Sequence, residues 1–138
     1  KVDENAENTV TKSLEILACK TIPQINFVPM RGDFTRGIFA TLYTRASDGK
    51  GLTEIVEYFK EVYKNSPQVI VSDKSISLKE VVNTNKAIIH IEKHNGYWHI
   101  TSAIDNLIKG ASGQAVQNMN LMFGFDENTA LSLKGSAF

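Results

Sequence analysis

Few side chains in this 138-residue sequence are of types that do chemistry, and their spacing sorts them. Cys19 is the single cysteine, so the chain can form neither an intrachain disulfide nor a multi-cysteine zinc site. It ends an amphipathic stretch with no His or Asp near it in sequence, and it reads as a packed core residue rather than a nucleophile. His90, Glu92 and His99 fall on one face of an expected hairpin, a donor set that suits zinc. Two histidines and a glutamate there also make a polar sheet face or a subunit contact. That second reading is adopted, with no metal site expected. Arg36 opens an apolar run behind a loop containing Gly32 and Asp33. Its fork of donors fits a carboxylate or phosphate, and a local carboxylate such as Asp33 would satisfy it equally. Asp105 to Gly113 leads into the last helix with Gly110 and Gly113 in its first turns. Each glycine costs about 1 kcal/mol of helix propensity against alanine. A ligand approaching the main chain at a helix N-terminus would explain them, and so would close packing against a neighbour. The spacing leaves both open, since no GxGxxG stands here.

The elements that must carry these residues follow from periodicity. Val10, Leu14, Ile16 and Leu17 recur at helical spacing over 7–18, with Asn8 or Thr9 as cap and Pro23 as terminator. Ile25, Phe27 and Pro29 alternate as a short strand, and 30–35 is a loop. Gly37 to Arg45 reads as a buried strand, and 47–51 as a turn. Leu52, Ile55, Val56, Phe59, Val62 and Tyr63 then form one helical stripe. Gln68 to Val71 is a short strand, and Ser77 with Glu80 is a capping-box pair. Lys86–Glu92 and Gly96–Ala103 flank Asn95-Gly96, a strong hairpin signal. With that loop, Glu92 faces His99 and Ile91 faces Ile100. Ile89, Ile91, Trp98 and Ile100 then form the core side, and His90, Glu92, His99 and Thr101 the other. Ile108, Ala111, Ala115, Met119 and Met122 line one face of a last helix running from near Asn106 to Gly124.

The fold class expected is α+β, a mixed, mostly antiparallel sheet with helices on one face and no Rossmann domain. Residues 1–138 are taken as one domain. The charges balance at 15 Lys plus Arg against 15 Asp plus Glu, which argues against nucleic-acid or anionic-membrane partners. No apolar run approaches the roughly 20 residues of a bilayer span, so a cytoplasmic protein is expected. The sequence begins at Lys1 without an initiator Met, which suggests a proteolytic product or an incomplete record, with a truncation and a natural degenerate copy both open.

Ser102 through Met122, reading SAIDNLIKGASGQAVQNMNLM, closely resembles the long C-terminal signature of the N-acetyl-gamma-glutamyl-phosphate reductase family. Phe27-Val28-Pro29 through Arg36-Gly37-Ile38-Phe39-Ala40-Thr41 is similar to that family's second block, and Asn83-Thr84-Asn85 to its block before the hairpin. The ending Ser136-Ala137-Phe138 is similar to the Bacteroidetes branch. The resemblance implies the aspartate-semialdehyde dehydrogenase superfamily, in which a Rossmann domain binds NADP and an α+β domain binds substrate and makes subunit contacts. It also implies arginine-biosynthetic chemistry: a cysteine thiolate attacks the acyl phosphate, phosphate leaves, and NADPH reduces the thioester to the semialdehyde. Carried over, Arg36 would hold the substrate's carboxylate or phosphate, with Asn85 also on the substrate side. Asn106, Gly110 and Gln114 would contact the cofactor domain, against which 106–138 would pack. A homodimer or homotetramer is implied.

The departures are large. The family's dinucleotide segment and catalytic cysteine block are absent, and Cys19 does not match that position. Where the family has His-x-His-x-Pro-Glu, this sequence has Glu4 to Val10 with neither histidine, and Met30 stands where many relatives have His. No catalytic residue is expected in this chain, which alone should be inactive. A non-catalytic dimerisation or interaction module of the same fold, and an N-succinyl-specific reductase, are the alternatives.

Overall fold

The computed structural model describes residues 4–18, 25–46 and 49–135. Cys19, Pro23 and the Ser47-Asp48 turn lie outside them. Two compact units emerge, Lys1–Phe34 and Thr35–Phe138.

The first unit contains helix α1, Glu4–Ala18. The helix begins three residues before the expected 7–18, so Asn8 and Thr9 are interior rather than caps. Thr9 instead accepts a hydrogen bond from the Ser13 hydroxyl on its main-chain carbonyl at 2.9 Å, the bond of a side chain within a helix. Leu14, Ile16 and Leu17 are exposed. The strand expected at Ile25, Phe27 and Pro29 does not form, and residues 25–32 are irregular. Pro29 has no N–H to give a ladder, and no described strand pairs with the segment.

The second unit is built on a four-stranded sheet: β1 (Ile38–Arg45), β2 (Val69–Ser72), β3 (Ala87–His94) and β4 (Tyr97–Ile104). The order is β1-β4-β3-β2, with β1 and β3 antiparallel to β4 and β2 parallel to β3. This is the mixed, mostly antiparallel α+β architecture read from the sequence. The β3–β4 turn is Asn95-Gly96, both residues at positive φ (48° and 79°), the backbone of a two-residue hairpin whose twist matches its strands. Glu92 pairs with His99 and Ile91 with Ile100, in the expected register.

Which face holds the core differs from expectation. Ile91 and Trp98 are buried, but so are Ile88, His90, Thr101 and Ala103 on the opposite face. The apolar cluster of Val81, Ile88 and Ala103, joined by Ile76 and Leu78, lies on that side. The 3₁₀ turn Leu78–Glu80, started by the expected Ser77/Glu80 capping box, belongs to the chain that covers it. Helix α2, Leu52–Tyr63, packs on β2 and β3. Lys93, on the Ile91/Trp98 face, donates to the Lys50 carbonyl just before α2 at 2.8 Å, which marks α2's side. Alternation could not foresee this, because the sheet is covered on both faces.

β1 reverses its expectation outright. Read as a buried strand, it is exposed at all eight positions, including Ile38, Phe39, Leu42 and Tyr43. It is an edge strand, paired among the described residues only with β4.

The last helix starts as a π-helical turn, Ile108–Ser112, and continues as α3, Gly113–Phe123, ended by Gly124 in the left-handed region (φ 71°). Its apolar stripe faces away from the chain's own interior. Gly113, Gln117 and Asn120 are the buried positions, while Ala111, Ala115, Met119 and Met122 face outward, Met122 being 81% exposed.

Candidate functional site

The polar centre of the second unit forms where β1 begins, β4 ends and the loop before β3 passes between them. Asp105, fully buried, is its anchor. Its carboxylate takes hydrogen bonds from the N–H groups of Leu107 and Ile108, both at 2.8 Å, and of Asn83 at 2.7 Å. Arg36 Nη2 lies 2.9 Å from each carboxylate oxygen. Burial raises the Asp105 pKa, but the bonds from Asn83, Arg36, Ile108 and Leu107 outweigh it, and the net shift is downward. Asn83, at φ 65°, accepts Arg36 Nη1 on its side-chain oxygen. Asparagine tolerates that backbone region better than most residues. Arg36 therefore meets a carboxylate, as one of its two sequence readings required, but the partner lies sixty-nine positions away in sequence. Its Nε is buried without a hydrogen-bond partner.

Asn106, one of the expected cofactor contacts, accepts the Gly37 N–H at 2.7 Å and so fastens the start of β1 to the end of β4. Gly37 takes φ 108°, where any other side chain is strained, and a β-carbon there would lie 2.6 Å from the end of the Leu78 side chain, which would have to shift.

The two helix-start glycines part company. A β-carbon on Gly113 would sit 2.3 Å from Asn85 Oδ1 and 2.6 Å from Ile108 Cγ2, so Gly113 answers to packing within the chain. Gly110 is exposed, and its nearest contact would be an ordinary 3.4 Å. The N–H groups of Leu107, Ile108, Gly110 and Ser112 all donate inside the chain, the last two to Asp105 and Leu107 carbonyls. These four N–H groups are thus taken within the chain and do not point at a phosphate.

Asn85, expected at the substrate, is 0% exposed. Its Nδ2 donates to Gln117 Oε1 at 3.0 Å, and its Oδ1 has no hydrogen-bond partner. Gln117 also accepts the Lys109 ammonium at 2.6 Å and donates to Glu127. Burial pulls the Lys109 pKa down, partly offset by Glu127. On its other side Asn85 borders a cleft of about 290 Å³ lined also by Gln68, Thr84, Lys86 and Asn128. Gln114, half-buried, donates to Asn118 at 3.1 Å along α3. Of the five expected site residues, Arg36 and Asn106 lie at Asp105, Gly110 lies in the π-helical turn, and Asn85 and Gln114 lie along the start of α3. Neither Asn83 nor Asp105 was singled out as Arg36's partner, and only their Asn and Asp identities signalled such a role.

A second cluster sits toward the hairpin turn. Glu92, His94 and His99 bring one ligand-type atom each to within 4.8 Å of one another. His99 Nδ1 and His94 Nε2 lie 3.1 and 3.3 Å from Glu92 Oε2, and His90 Nε2 is 3.5 Å from Oε1. The contacts from His94, then His99, lower the Glu92 pKa. His94 was missed in the sequence, although it stands two residues beyond Glu92 on the same sheet face.

Residues 7–106 match the family described as semialdehyde dehydrogenase, dimerisation domain. The chain is 52% identical over 129 residues to a protein of Bacteroides fragilis named N-acetyl-gamma-glutamyl-phosphate reductase, covering 94% of this chain and 39% of that protein. Proteins of the same name from Flavobacterium johnsoniae and Karelsulcia muelleri are 56% and 47% identical, over 83% and 96% of this chain and 35% and 40% of their own lengths. The chain thus spans about two-fifths of the length of the curated relatives it matches. No described helix is long and apolar enough to cross a membrane.

Proposed function

Since the chain belongs to the semialdehyde dehydrogenase dimerisation-domain family, we propose that it serves as the substrate-side and dimerisation part of an NADP-dependent N-acetyl-gamma-glutamyl-phosphate reductase of arginine biosynthesis. The observation that carries the reading is α3. Its polar face is spent inside the chain, while Ala111, Ala115, Met119 and Met122 face outward. An amphipathic helix in that orientation suits residues 106–138 packing against a further domain.

In this reading the nucleophilic thiolate and the dinucleotide fold belong to the other three-fifths of the relatives' length, and NADP supplies hydride when bound. Asn106, Gly110 and Gln114 face that side. Asn85 and the cleft beside it, with Lys86, lie toward the anionic acyl phosphate, and Arg36 holds the β1 entry in place through Asp105. Two or four copies assemble through this part, in the cytoplasm. Which acyl group is taken, N-acetyl or N-succinyl, is read from steady-state rates on both.

A chimera tests the proposal. The Bacteroides fragilis relative with its matching 129-residue segment replaced by this one should retain NADPH consumption with N-acetyl-gamma-glutamyl phosphate. The isolated 138-residue chain should show none. A chimera that assembles normally but lacks activity would instead favour a non-catalytic dimerisation module.

A further inference from the structure

The three histidines of this chain, all of those in its sequence, gather around one carboxylate on β3 and β4. We propose that Glu92, His94 and His99 form a binding site for a zinc-class divalent cation at the turn end of the β3–β4 hairpin.

The donor chemistry comes first. Imidazole nitrogen and carboxylate oxygen are the ligands that borderline cations such as zinc accept, and three protein donors leave a fourth position for water or another ligand. The geometry agrees. Ligands about 2.0–2.1 Å from a tetrahedral ion stand roughly 3.3 Å apart. His99 Nδ1 and His94 Nε2 stand 3.1 and 3.3 Å from Glu92 Oε2, so two edges of such a tetrahedron are already close to length. The backbone holds the donors there. Glu92 and His99 are cross-strand partners, and the alternation of β3 puts His94 on the same face. Tyr43 of β1 stacks on the His99 ring, centroids 4.7 Å apart and planes 12° apart, which fixes the orientation of that imidazole.

His90 stands beside the site, its Nδ1 2.9 Å from the Ser72 carbonyl and its Nε2 3.5 Å from Glu92 Oε1, the oxygen that His94 and His99 do not address.

The experiment uses the 138-residue chain, dialysed against chelator and titrated with cobalt(II), then zinc. One equivalent of cobalt should develop visible d–d absorption, zinc should displace it, and His94→Asn and Glu92→Gln should each weaken binding about tenfold or more. His94 is exposed, so its variant keeps the fold, as circular dichroism will verify. No saturable one-to-one signal, or equal affinity in both variants, overturns the proposal. The second result would mean adventitious binding elsewhere.

Discussion

At Asp105 two opposing effects meet, and the hydrogen bonds win. Removing a carboxylate from water raises its pKa, yet three main-chain N–H groups and the Arg36 guanidinium hold it below its ordinary value. A folded-state pKa below the unfolded value of about 3.9 means that the stabilisation is fully present above that pH and is lost as pH falls through the folded value. Asp105→Asn keeps the shape but leaves Arg36 facing an amide, and should cost about 2–4 kcal/mol at pH 7. Urea denaturation at pH 7 and at pH 3 checks the sign, since the gap between wild type and variant should narrow in acid. The sequence disclosed that Arg36 needed an anion and left open which. Its partners lie 47 and 69 positions away, a separation that no local pattern encodes. His94 is the contrary case, because strand alternation alone places it with Glu92.

The elements whose chemistry is local were legible, and those defined by what lies on top of them were not. Asn95-Gly96 specifies a hairpin by its own backbone preferences, and Ser77 with Glu80 a capped turn. The register of β3 on β4 followed from the turn. By contrast β1 and α3 carry apolar stripes that announce burial without naming the cover, and both are bare among the described residues. The start of α3 gives a sharp test at this scale. Alanine at Gly110 meets only ordinary contacts and gains helix propensity, so Gly110→Ala should be neutral or stabilising by up to about 1 kcal/mol. Gly113→Ala gains the same propensity but drives a methyl into the buried Asn85 side chain, and should destabilise by about 1–3 kcal/mol. Thermal melts of the two variants should move apart; equal shifts would show that packing at Gly113 is unimportant.

For the whole molecule, the exposed apolar residues of β1 are the largest physical fact. Ile38, Phe39, Leu42 and Tyr43 line an edge strand, the feature natural proteins otherwise blunt with charge, Pro or a covering element. Association of copies through this region is therefore expected, and Leu42→Lys should reduce it while leaving circular dichroism unchanged. Sedimentation velocity across a concentration series reads the difference; a monomer in both forms would exclude β1 as the contact. The strand order carries a kinetic consequence as well. β3 and β4 are joined by a two-residue turn and can zip in about 1–10 μs, whereas β1 must reach β4 across all the intervening chain, a slower and entropically costlier closure. During biosynthesis β1 leaves the ribosome long before its partner exists. Until β4 arrives, nothing in the pairing distinguishes a strand from the same chain from one on a neighbouring polysome, so strand exchange between nascent copies is the misassembly this topology invites.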